Sequence, residues 1–209
     1  MDIGTVEILH DPARLVSFVL FCAVVAGTPG PSNALLTAIG ARVGVRRGLV
    51  SLLGQVTGMG TMLFAVIMGL GDLLLAHPLA LQLLKWGSVA LLGWMAWRIA
   101  TAGPPGEAAG TTAGFLAMAA FQWVNPKGWL IGVAAIATFL NRHSGSALGQ
   151  AGILAIVFAL VALPACLPWL AFGATLKRFI RTRRAWRTLN SAMAVLLAAS
   201  TIPLVLTGL

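Results

Sequence analysis

Six apolar stretches, at about 15–41, 49–75, 79–101, 113–140, 148–173 and 189–207, fill most of this chain. Each is near or above the length that crosses a bilayer as a helix, about 20 apolar residues. Charged residues make up only 9% of the 209, against about 25% in a typical soluble domain. So few charges cannot cover a water-facing surface. An ordinary cytosolic domain and a disordered chain are therefore excluded. The net charge is +9, but the cations are too sparse and scattered for a nucleic-acid binder. The expected fold class is an all-α integral membrane protein with six transmembrane helices, forming a single membrane domain over 1–209.

The loops orient the helices. Arg42, Arg46 and Arg47 with Gly48 separate the first two stretches, and Asp72, His77 and Pro78 the next two. Gly103, Pro104, Pro105, Gly106 and Glu107 form the linker, 102–112. Asn141 to Gly145 mark the fourth turn. Lys177, Arg178, Arg181, Arg183, Arg184 and Arg187 crowd the fifth. With the N-terminus outside, the inner segments hold ten cations (those six, the first three, and Arg98), and the outer ones only Arg14 and Arg142. The positive-inside rule favours that orientation, with both termini outside. Asp2, Glu7 and Asp11 precede Arg14, the wrong charge for a secretory leader, so the first stretch is expected to be retained. Leu176, Phe179, Ile180, Trp186 and Leu189 lie near helical spacing among the loop-five cations. They fit either a plain topology anchor or a short interfacial helix on anionic lipid.

Two of the stretches are broken. Gly27-Thr28-Pro29-Gly30-Pro31-Ser32-Asn33 interrupts the first, and Trp123-Val124-Asn125-Pro126-Lys127-Gly128-Trp129 the fourth. Proline lacks the N–H and clashes with the preceding turn. The freed backbone groups are tolerated at membrane depth only beside protein or a watery cavity. A shift of 95 places Pro31 on Pro126, Arg47 on Arg142 and Leu53-Gly54-Gln55 on Leu148-Gly149-Gln150; ten of 46 positions from 31 to 76 match. The expected organisation is thus a first repeat at 15–101 and a second at 113–207. Three helices in each half invert the second relative to the first. Inverted repeats with discontinuous helices are a recurrent transporter design. Broken ends offer N–H groups to a carboxylate and carbonyls to an ammonium, which suits an amino acid.

Further residues carry a resemblance. Pro29-Gly30-Pro31 is followed by Asn33, Leu35-Leu36 and Gly40, then Gly44 to Gly48, Leu49, Gly54 and Gly58. Later come Leu91-Leu92-Gly93-Trp94 with Arg98, and Gly114-Phe115-Leu116 leading into Asn125-Pro126-Lys127. Over essentially its whole length the chain resembles the LysE/RhtB family of amino-acid exporters. The resemblance implies a carrier of the bacterial inner membrane that exports amino acids by using the proton gradient. The chain departs from the family in having no tyrosine: Leu91 or Leu92 stands where one often precedes the Leu-Gly of the third span. No acidic residue lies deep in any span, which leans towards a neutral substrate. Lys85 or Lys127 remains as a candidate proton carrier.

The expected substrate site lies between the breaks: Thr28, Pro29, Gly30, Pro31, Ser32 and Asn33 on one side, Asn125, Pro126 and Lys127 on the other, with Gln55 beside them. Lys127 suits a substrate carboxylate or the freed carbonyls, and the two asparagines suit substrate or unwound backbone. Gln55 and Gln150 hold equivalent places and suit the pathway or helix–helix glue. Gly54 and Gly58 are expected at a close helix contact; the glycine-rich second span fits a homodimer contact as well as an internal one. Lys85 is expected at the outer interface. Cys22 and Cys166 read as core residues, and the tryptophans suit interfacial belts, with Trp123 and Trp129 placed to line a cavity. No cofactor is expected. Neither is a metal: His10, His77 and His143 are far apart, and a metal-ion exporter would lack ligands in its spans. An intramembrane enzyme would lack a nucleophile–base pair. A non-transporting scaffold would have no use for unwound helices at depth.

Overall fold

A computed structural model describes residues 11–103, 113–140, 146–180 and 182–206. Among them every regular element is helical. Asp2, Glu7 and His10, most of the 102–112 linker, the Asn141 to Gly145 turn with Arg142 and His143, and Arg181 lie outside the described residues.

The chain begins with α1 (Pro12–Gly27), started by Asp11, whose side chain accepts from the Arg14 N–H, and by Pro12 at its first position. α2 (Pro31–Ala65) follows, then a π-helical turn at Val66–Leu70 and α3 (Gly71–Leu75). α4 (Pro78–Ala100) again starts on proline. α5 (Phe115–Val124) and α6 (Pro126–Phe139) are separated by Asn125 alone. α7 (Ala147–Phe179) is capped by Ser146, and α8 (Arg183–Ala199) by Thr182. α9 (Ile202–Leu206) is a final short helix. Three helical stretches are long and apolar enough to cross a membrane: Pro31–Leu74, Pro78–Ala100 and Ala147–Phe179. Outward-facing Leu79, Leu83, Trp86, Trp94 and Trp97 on α4, and Leu148, Ile156 and Leu160 on α7, present apolar surface where a water-soluble protein would place charge.

Several expectations change. The segment 42–48 is not a loop: it is helical on both sides of a single residue, Gly44, whose φ of 78° and ψ of 175° leave the helix. That conformation favours glycine. The chain reverses there, because Asn33 and Gln55, with Gly44 midway between them, are hydrogen-bonded at 3.2 Å; a straight helix would hold them about 33 Å apart. The fifth loop is also shorter than expected. α7 runs to Phe179 and α8 starts at Arg183, so Leu176, Lys177, Arg178 and Phe179 belong to α7, and Arg183, Arg184, Trp186, Arg187 and Leu189 to α8, with no separate interfacial helix among the described residues. Trp186 is buried, on the α8 face it shares with Asn190, Met193, Ala194 and Leu197. Lys85 is buried against the protein. It is 7% exposed, with its ammonium 5.8 Å from the Trp86 ring centroid.

The core lies along α2, which packs on α7 and α5. Close approach needs small residues, as in other membrane bundles. A Cβ on Gly54 would overlap the Phe115 carbonyl, and one on Gly58 would overlap the Ala119 carbonyl, which confirms the expected contact. Gly40 and Gly173 meet α7 and α2 backbone in the same way. Pro164 and Pro168 lie inside α7, where they were not singled out as breaks; the helix continues through them.

Candidate functional site

Both expected breaks are present. Residues 28–30 leave the helical path between α1 and α2, and Asn125 leaves it between α5 and α6. In each case the next helix starts at the matched proline, Pro31 or Pro126. Proline suits a first helical position because its missing N–H would have no intrahelical partner there.

The two breaks meet. Ser32 Oγ donates to Gln122 Oε1 (2.9 Å) and accepts from Asn125 Nδ2 (2.8 Å). Lys127 reaches across from α6, and its Nζ donates to the Thr28 carbonyl (3.0 Å) and to Thr28 Oγ1 (2.8 Å). Its aliphatic stem lies over Gly30, where even a Cβ would come within 3.0 Å of it. Gln55 Nε2 donates to Asn33 Oδ1 and to Cys166 Sγ (3.3 Å). Residues about 95 apart in sequence thus share one polar network, buried around Ser32, Asn33, Gln55, Gln122 and Asn125 and open to the surface at Thr28.

The ends of the broken helices are satisfied group by group. At the C-terminus of α1, the Val24 carbonyl accepts from the Thr28 N–H and the Val25 carbonyl from Thr28 Oγ1. Asn33 Nδ2 serves both the Ala26 carbonyl (2.8 Å) and the Thr28 carbonyl (2.9 Å). Cys166 Sγ adds a weak bond to Ala26 (3.5 Å), and Trp169 Nε1 donates to Gly27 (2.9 Å). At the end of α5, the Gln122 carbonyl accepts from the Asn125 N–H (3.2 Å) and the Trp123 carbonyl from Trp129 Nε1 (2.8 Å). Ser88 Oγ of α4 donates to the Val124 carbonyl (2.7 Å), and Asn125 Oδ1 caps α6 through the Lys127 N–H (3.2 Å). An unpaired carbonyl at this depth would cost several kcal/mol, so these partners allow the helices to stay broken.

A cavity of about 10 Å³ lies between the breaks, lined in part by Gly30, Ser32, Asn33, Gln55, Asn125 and Lys127. That is about the space of one water molecule. Gln55 is 1% exposed, and its Oε1 has no hydrogen-bond partner among the described residues. Of the expected site residues, Thr28 joins through the Lys127 contact. Pro29 serves to keep the chain out of the helix, and Pro31 and Pro126 start the next helices. Gln150 is buried but does not line this cavity.

Four further participants gave little or no signal in the sequence. Gln122 is 0% exposed and links Ser32 to Asn125; a lone amide three residues before the Asn-Pro break was its only signal. Cys166 read as a core hydrophobe but is bonded within the network. Ser88 and Trp169 gave no signal, because their role is to reach another helix. Trp123 and Trp129 stack edge to face with centroids 6.3 Å apart, and Trp129 lines a separate apolar cavity. Among the described residues no group of His, Cys, Asp or Glu is placed to hold a metal.

Residues 23–208 match the family described as LysE type translocator. The cysteine/O-acetylserine efflux proteins of Escherichia coli strain K12, Shigella sonnei and Shigella flexneri serotype 5b are each 30% identical to this chain over 192 residues, covering 89% of it and 94% of each relative. No solved structure matches. With nearly its whole length covered, this chain belongs to the LysE family of translocators, as a transporter and not an enzyme.

Proposed function

We propose that this chain exports small neutral amino acids across the bacterial inner membrane, with the substrate held between its two helix breaks. The observation that carries this reading is the meeting of the breaks in one polar network. Two helix N-termini, those of α2 and α6, converge at the Ser32–Asn125 contact, where their dipoles favour a carboxylate. Lys127 adds a full positive charge. The carbonyls of Ala26 and Thr28 at the end of α1, with the unpartnered Gln55 Oε1, offer acceptors to the substrate ammonium. The acid-free site favours a neutral side chain, and the names of the relatives point to small polar ones.

A cavity of about 10 Å³ does not hold an amino acid, so binding requires the breaks to separate. Lys127 then leaves Thr28 and turns to the substrate carboxylate. Alternating access follows if 15–101 and 113–207 are inverted repeats of three spans each, rocking about this contact, with both chain termini outside. Inward proton movement would drive export; Lys127, the charged group in the network, is the candidate to carry the proton.

The test is efflux from proteoliposomes loaded with a panel of labelled amino acids, with and without a pH gradient. Saturable efflux of cysteine, serine or a similar substrate, accelerated by inward proton movement, is expected. Folded, inserted protein that moves none of them would refute amino-acid export. Efflux indifferent to the gradient would remove proton coupling alone. Asn125→Ala and Lys127→Ala should each abolish efflux while the protein stays in the membrane; unchanged efflux by both would remove the proposed site.

A further inference from the structure

A groove of about 690 Å³ lies between α4 and α5, within the range of about 300–1,000 Å³ that ligand sites span. It shares no lining residue with the cavity at the breaks. Its walls are apolar, with Leu91, Met95 and Ile99 from α4 facing Met118, Phe121 and Val124 from α5. One charged residue lines it, Arg98 in the last turn of α4, and no carboxylate does among the described residues. The Arg98 guanidinium lies 5.1 Å from the Trp94 ring centroid, a cation–π geometry that steadies the side chain. Both residues are exposed.

An apolar trough ending in one guanidinium complements an amphiphile with an anionic head. Arginine suits phosphate because its planar fork donates two hydrogen bonds at once. The rest of α4 narrows the source. Leu79, Leu83, Trp86 and Trp97 also point outward, so the groove belongs to a helix face turned to hydrocarbon, where lipid is the ligand at hand. We propose that the α4–α5 groove binds an anionic phospholipid, with an acyl chain along the trough and the phosphate on Arg98.

Trp94 at the groove is a built-in reporter. Full-length protein is reconstituted in vesicles containing phosphatidylglycerol or phosphatidylcholine with identically brominated acyl chains. The Trp94 signal is taken as the difference between wild type and Trp94→Phe. Brominated phosphatidylglycerol should quench it at least twofold more than brominated phosphatidylcholine. Arg98→Gln should reduce phosphatidylglycerol quenching to the phosphatidylcholine level, and Arg98→Lys should keep most of the difference. Ala117→Phe fills the groove from an exposed position and should lower quenching by both lipids with Arg98 intact. Equal quenching by the two lipids in the wild type, or an undiminished difference in Arg98→Gln, would overturn the proposal. If Arg98→Gln does not fold, the wild-type lipid comparison and Ala117→Phe still decide it.

Discussion

The two breaks solve one problem in different ways. The second is almost self-sufficient: Asn125 leaves the helix alone, its own side chain caps α6, and Trp129, six residues on, satisfies Trp123. From outside the α5–α6 unit come Ser88, on the Val124 carbonyl, and Ser32, on the side chains of Asn125 and Gln122. The first break is wider. Asn33, five to seven residues on, serves it locally, but its carbonyls also draw on distant groups: Trp169 and Cys166 from α7, and Lys127 from α6. The second break is therefore a rigid fixture that would survive relative helix motion. The first is held by contacts that such motion would break. If transport moves helices past one another, the first break is where the change is felt.

The strongest way to break this comparison is Asn33→Ala. Asn33 Nδ2 serves two carbonyls, and its Oδ1 accepts from Gln55. Unsatisfied buried groups cost about 1–3 kcal/mol each, so a loss of about 2–3 kcal/mol is expected despite the bonds retained from Cys166 on Ala26 and from Lys127 on Thr28. Asn125→Ala removes a cap worth about 1 kcal/mol and its bond to Ser32, but Ser32 still donates to Gln122 and no carbonyl loses a donor, so it should cost less. Denaturant-induced unfolding in mixed micelles reads both. Equal losses would mean the two breaks are equally dependent on their asparagines.

Lys127→Met probes the link between the breaks. The Thr28 carbonyl keeps its bond from Asn33, so stability should change by less than about 1 kcal/mol. Transport, in contrast, loses the charge proposed for the substrate carboxylate, and kcat/KM for efflux should fall at least about tenfold, or about 1.4 kcal/mol. A large stability loss with unchanged transport in the surviving protein would make Lys127 a structural clasp.

The tryptophan pair gives a smaller, sharper contrast. Trp169→Phe and Trp129→Phe each remove one N–H···O bond, and polar contacts inside membranes average about 0.6 kcal/mol. The two should therefore cost similar stability. Trp169 joins α7 to the first break, whereas Trp129 stays within the α5–α6 unit. Trp169→Phe should alter the KM for efflux, and Trp129→Phe should not. Identical kinetics would show that α7 does not act on the first break.

Much of this was legible in the sequence because backbone rules are local. Two prolines in register identified both helix restarts, and the polar residues beside them are the ones that meet. The partners from other helices were hidden because nothing in a run such as Leu84 to Ser88, or Pro164 to Trp169, tells which carbonyl a hydroxyl or indole will reach. The turn at Gly44 was hidden for the opposite reason. Three arginines looked like a loop, yet one glycine with positive φ reverses the chain and leaves helix on either side. The burial of Lys85 was hidden because position along a helix does not tell which face a residue occupies.

The smallest effect is the finest test of the second break's independence. Ser88 Oγ lies 2.6 Å from the Leu84 carbonyl and 2.7 Å from the Val124 carbonyl. One hydroxyl proton serves both, so Ser88→Ala loses at most one bond's worth, about 0.5 kcal/mol. The Val124 carbonyl then depends on weak or water-mediated contacts. If the second break is a rigid fixture, its Asn125 cap and Trp129 bond hold it in place, and efflux kinetics should stay within about twofold of wild type. A larger drop would mean that α4 positions the second break through Ser88, and that both breaks take their shape from neighbouring helices.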